Sequence, residues 1–241
     1  MRNFSRASLI FGVVSLAWLL FISLAYVYTH KAVSPEMLLA IIKNIWVLIL
    51  ALFFLSLSYG LGCKALMLLS HNNSDHLPQG EAWGDGEPFF AMAIGLGIFS
   101  LLVLLVGLLI GVTVWVFGLL TFVLAVWLWR DVIVFWQQLG RVWLRLYPVQ
   151  MSEMVLAFFS TIIIILNLSV ALAPPLAFDA LVYHLTLPLR YLQEGQITYI
   201  PDIMFWGMPQ LAEMAYLFML ALGGESAPAV LGWLLGGLTL L

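Results

Sequence analysis

The chain has 241 residues, 64% of them hydrophobic and only 9% charged, with a net charge of −3. A soluble domain carries about 25% charged residues, so a water-soluble globule is excluded and lipid is the solvent that this composition fits. Nine Lys and Arg, scattered among twelve Asp and Glu, leave no footprint for nucleic acid, and the single cysteine, Cys63, excludes an intrachain disulfide and any cysteine-based metal or redox motif.

A membrane-crossing helix needs about 20 apolar residues. In chain order the sequence predicts such helices at 9–28, 37–59, 89–110, 112–129 and 154–173. A shorter sixth at 209–222 extends backward through 204–208, and a seventh runs from 227 to 241. The expected fold class is therefore all-α, a polytopic bundle of six to seven spans. Arg2 and Arg6 precede the first apolar run and no small-residue cleavage site follows it, so that span reads as uncleaved. The last run is still apolar at Leu241, which predicts a longer parent protein.

The connections differ in character. Residues 29–36 form a short turn, 70–88 a polar loop with four acids, and Gly111 a tight turn between two spans. Residues 130–148 alternate apolar, aromatic and basic side chains, the pattern of an interfacial helix. The Lys and Arg bias places the N-terminus in the cytoplasm, with Arg2, Arg6, Lys64, Arg130, Arg141 and Arg145 inside and Lys31 and Arg190 outside. This makes a multi-pass protein of the inner (plasma) membrane, its lipid bilayer the first partner, with 174–208 on the outer face. Gly107/Gly111 and Gly232/Gly236 have the spacing of close helix contacts. His71, Asp75 and His76 share the polar loop, where solvated side chains are a simpler reading than a metal site.

The outer segment holds most of the candidate chemistry. Pro174 and Pro175 end the fifth span. Residues 180–187 suit a short helix, 188–193 a further helical turn closed by Gly195, and Pro201 and Pro209 frame an irregular stretch. Asp179 falls where membrane helix meets water, with Tyr183 one turn on and His184 beside it. Asp179 reads either as a cap on the following helix or as an acid that moves a proton. His184 reads as an interfacial residue or as a metal or substrate contact, and Asp202 as a solvated loop residue. Glu213 lies early in the sixth span, where acids are costly and tend to be functional. No cofactor is expected. A divalent metal would find too few ligands with Asp179 alone near His184.

The run Phe178-Asp179-Ala180-Leu181-Val182-Tyr183-His184-Leu185, with Pro188, Tyr191, Gly195-Gln196-Ile197, Pro209, Glu213, Tyr216 and Leu222-Gly223-Gly224-Glu225, resembles the first outer loop of bacterial GT-C glycosyltransferases. It is similar to the dolichyl-phosphate-mannose protein mannosyltransferase-like branch. The resemblance covers 154–241, as the start of a core with its first outer loop at 174–208, and leaves 1–153 as leading transmembrane helices with an interfacial helix. It implies transfer of a sugar from a polyprenyl-phosphate carrier to an outer-face acceptor. In such enzymes an acid of this loop lies beside the carrier phosphate, and the matching residue is Asp179. Tyr183, His184 and Glu213 are the expected substrate contacts; the resemblance says nothing about Arg190, which is added to them as a cation that could pair with a phosphate. A GT-C core has many more spans than follow here. That leaves a second reading, a non-catalytic accessory subunit of a larger membrane complex. A transporter is a third, resting only on Lys43, Asn44 and Asn167 within spans.

Overall fold

The computed structural model describes residues 34–69, 87–145 and 151–239, with isolated helical positions between 17 and 29. Contacts divide the chain into Met1–Asn44 and Ile45–Leu241. Most of the span expected at 9–28 and the polar loop with His71, Asp75 and His76 lie outside the described residues. In the first unit the ring of Trp18 stacks on Phe21 at 5.9 Å. Ser34 opens helix α1 (Pro35–Leu69), its hydroxyl accepting the Met37 N–H at 3.3 Å. A hydroxyl cap, then proline, then Glu36 in the first turn is an order that favours a helix start.

Seven further α-helices follow among the described residues: α2 (Glu87–Leu109), α3 (Val114–Trp127), α4 (Trp129–Arg145), α5 (Met151–Leu172), α6 (Thr186–Glu194), α7 (Leu211–Gly223) and α8 (Ala227–Leu238). Among the described residues three helices, α1, α2 and α5, are long and apolar enough to cross a membrane, and a fourth crossing exists if α3 and α4 form one bent span. The expected sixth and seventh spans are shorter than the sequence suggests. Residues Met204–Gly207 form a separate 3-10 turn, so the helix does not extend backward. That leaves α7 with 13 residues and α8 with 12. At 1.5 Å per residue these are about 20 and 18 Å long, short of the roughly 30 Å hydrocarbon core.

Helix α1 is the mast of the second unit. Every residue from Phe54 to Cys63 is buried, so the helix is covered on all sides there. Ser56 and Ser58 satisfy their hydroxyls on the carbonyls of Phe53 and Phe54. Helix α2 crosses it closely. A Cβ on Gly62 would sit 1.7 Å from the Ala91 carbonyl oxygen, and one on Gly95 would sit 1.6 Å from that of Ser58. Ser58/Gly62 and Ala91/Gly95 thus form two facing small-xxx-small pairs that let the backbones touch. The glycine pairs singled out in the sequence behave differently. Gly107 faces Ile197, Gly111 is the turn residue with φ +126°, and Gly232 and Gly236 have nothing within 4 Å.

Phe54, Phe99, Phe117 and Phe218, from α1, α2, α3 and α7, meet in one aromatic hub. The rings of Phe54 and Phe99 lie 4.6 Å apart and those of Phe99 and Phe218 4.9 Å, both edge to face. Helix α7 is the element most others share, touching α2, α3, α6 and α8. Its end is fixed to α1, where the Trp46 indole donates to the Leu222 carbonyl at 2.8 Å. On the far side α5 packs against α8, and the Trp233 indole donates to the Ile164 carbonyl at 3.0 Å.

Candidate functional site

Segment 174–208 begins after α5 stops at Leu172, with Pro174 and Pro175, and it breaks the helical pattern at once. Ala180–His184 form a π turn, closed by the Leu185 N–H on the Ala180 carbonyl at 2.9 Å. The Thr186 hydroxyl donates to the Leu181 carbonyl and holds the next turn. Such five-residue turns widen a helix and are frequent at functional sites. The short regular helix expected at 180–187 is therefore a wider turn running into α6. Gly195, at φ +72°, closes α6 as expected.

The turn presents His184 to Glu213 in the first turn of α7. His184 Nδ1 lies 2.7 Å from Glu213 Oε1. The Glu213 side chain is 6% exposed and that of His184 36%. A carboxylate oxygen accepts, so Nδ1 carries the proton and Nε2 is the ring atom left for another partner. Aromatic rings wall the pair. Tyr183 lies 4.0 Å from the His184 ring and 4.7 Å from Phe205, and Tyr216 meets His184 edge-on at 6.3 Å.

The other predicted residues stand apart from this pair. Asp179 is exposed, already in helical conformation, and makes no capping hydrogen bond. The capping role is thus not what holds it here. Arg190 forms an exposed ion pair with Asp202 at 3.6 Å. No hydrogen bond or ion pair among the described residues joins Asp179 or Arg190 to the His184–Glu213 pair. Nor do the described residues contain a group of three or more His, Cys, Asp or Glu that could hold a metal.

A polar relay unread in the sequence fixes the rest of the segment. The fully buried Tyr191 donates its hydroxyl to Gln210 Oε1 at 2.9 Å. Gln210 donates to the Trp206 carbonyl, the Trp206 indole to the Thr198 carbonyl at 3.0 Å, and the Thr198 hydroxyl to Glu194. Burial pushes the Tyr191 hydroxyl above its usual pKa of 10, with the Gln210 hydrogen bond pulling the other way. The relay runs from α6 through the 3-10 turn to the start of α7. The Val112 N–H adds a bond to the Gly195 carbonyl at 2.7 Å, which fastens the segment to the α2–α3 turn.

Beside the relay a half-open, mostly apolar groove of about 230 Å3 runs between α2 and the start of α7. Leu104, Pro209, Gln210 and Met214 line it, with Ser100, whose buried hydroxyl has no partner among the described residues. Gln210 and Glu213 are three residues apart, so groove and acid–imidazole pair share one end of α7. Comparison with protein-family models, curated proteins and solved structures finds no match to this chain.

Proposed function

We propose that this chain is an integral membrane glycosyltransferase that moves a sugar from a polyprenyl-phosphate carrier to an acceptor on the outer face. The observation that carries the reading is the pairing of buried Glu213 with the partly exposed His184, which comes from a π turn that follows the exposed Asp179. A charged side chain in an apolar helix is costly and is kept where it has a task. Here it holds an imidazole whose second nitrogen is free for a substrate.

In this reading Asp179 is the catalytic base. It takes the proton from an acceptor hydroxyl or amine as that atom attacks the anomeric carbon. The bond between that carbon and the phosphate oxygen breaks, the electron pair leaves with the polyprenyl phosphate, and the anomeric configuration inverts. His184, held by Glu213, positions the sugar, and Tyr183 supplies an aromatic face to it. Arg190 reaches the phosphate by exchanging Asp202 for it. The apolar groove at Leu104 and Met214 takes the first part of the carrier chain. Spans at 9–28, α1, α2, α3 and α5 cross the bilayer in this reading, and the short α7 and α8 enter it beside them.

The experiment offers polyprenyl-phosphate carriers bearing labelled sugars to vesicles that contain the purified protein, with protein-free vesicles as control. Loss of label from the lipid fraction into an acceptor, dependent on the protein, is the expected result. Label that stays on the carrier for every sugar and acceptor offered overturns the reading.

A further inference from the structure

Helix α4 carries an exposed face whose chemistry names its occupant. The chain bends by 79° between α3 and α4. Leu128 at the bend and Phe135 are buried, and the Phe135 ring lies 5.6 Å from Tyr59 of α1. A second tie is the ion pair of Lys64 on α1 with Asp131, at 3.2 Å. Asp131 is the sole acid in α4. Its charge is met by Lys64.

Two strips remain. Trp129, Ile133 and Trp136, spaced to share one face, are exposed apolar side chains. Next to them lies a basic line. It starts at Arg130, whose guanidinium sits 5.5 Å over the Trp129 ring, and the helical register carries it through positions 141 and 145, both arginine. Three positive charges on one helix make a crossing of the hydrocarbon costly, whereas an aromatic strip beside a basic one suits the plane of a bilayer interface.

We infer that α4 is a recognition helix for anionic phospholipid headgroups. Its apolar strip enters the acyl boundary and its arginines pair with the phosphates of the adjoining leaflet. Charge complementarity selects this occupant over a neutral lipid, because arginine forks bind phosphate oxygens in pairs. Each basic residue held near an anionic surface strengthens binding roughly fivefold.

The test titrates the full-length protein in neutral detergent with phosphatidylglycerol and with phosphatidylcholine of matched chains, counting bound lipids by native mass spectrometry. Phosphatidylglycerol should bind about fivefold or more tightly than phosphatidylcholine. The preference should fall to about twofold or less in Arg130→Gln/Arg141→Gln/Arg145→Gln and persist in Arg2→Gln/Arg6→Gln. Helix content by circular dichroism establishes that each variant is folded, and Arg141→Gln/Arg145→Gln replaces the triple variant if that one is not. Equal affinity for the two lipids in the wild type overturns the proposal. So does a preference that survives loss of the arginines, or one that disappears with Arg2 and Arg6 instead.

Discussion

Glu213 brings a carboxylate into a helix whose other residues are apolar or aromatic, and the structure shows what tolerates it there. Its partner His184 comes from a different element, 29 residues earlier. Removing the partner strands the acid, so His184→Ala should lower stability by about 2 kcal/mol, the range for a hydrogen bond to a charged group. Adding Glu213→Gln should restore about half of that, because the buried group is then neutral. Thermal unfolding of both variants in one detergent checks this. Tyr191 offers a second test. Tyr191→Phe leaves Gln210 Oε1 without its donor and should cost about 1 kcal/mol. Since burial raises the Tyr191 pKa, the unfolded chain ionises first as pH rises past 10. Wild-type stability should therefore fall above that pH more steeply than that of Tyr191→Phe, as unfolding midpoints between pH 9 and 11 would record. The sequence exposed Glu213 and His184 as separate candidates, through an acid in an apolar run and a histidine beside a tyrosine. It could not pair them, because the pairing depends on a π turn that no local residue pattern announces. The Tyr191–Gln210 bond was hidden for a similar reason, as each residue alone looks like ordinary loop chemistry.

At the scale of elements, the α1–α2 crossing depends on two glycines. A methyl group at Gly95 or Gly62 would meet a carbonyl at under 2 Å, and backbone cannot yield as a side chain can. Gly95→Ala and Gly62→Ala should each cost about 3 kcal/mol, the upper end for overpacking. Gly97→Ala, two residues along the same helix with nothing within 4 Å, should instead be neutral or gain up to about 1 kcal/mol from helix propensity. Equal midpoints for Gly95→Ala and Gly97→Ala would contradict the crossing. Some helix ends were legible, since Gly111, Pro174-Pro175 and Gly195 each announce a stop or start by their own backbone chemistry, whereas α1 begins inside the expected 29–36 turn and runs on to Leu69, past the expected end at 59. The glycine contacts were not. Many helical glycines occur in such a chain, and which of them face a neighbour depends on how the helices pair. The lengths of α7 and α8 were also overread. Apolarity marks a helix as buried without saying whether lipid or protein covers it, and much of α7 is covered by protein.

Over the whole of the second unit, segments expected on one side of the membrane are found bonded at one end of the bundle. Val112 meets Gly195 there. At the other end Lys64 meets Asp131, both expected on the opposite side. The distribution of Lys and Arg had placed these segments on opposite faces without reference to contacts. Single-cysteine variants in a Cys63→Ala background, at Tyr199 and at Gln137, should therefore label from opposite sides of sealed vesicles. Labelling from one side would break this topology. What composition and charge could not convey is the pairing of His184 with Glu213, because that depends on one turn in the chain. The most direct test of the account is the initial rate of sugar transfer from a polyprenyl-phosphate donor by wild type and by Asp179→Asn, reconstituted at equal density. Loss of a general base costs about 100-fold or more, so the variant should fall by at least that factor while His184→Gln retains part of the activity. An Asp179→Asn rate equal to that of the wild type would contradict the assignment of the base, and with it the site proposed for transfer.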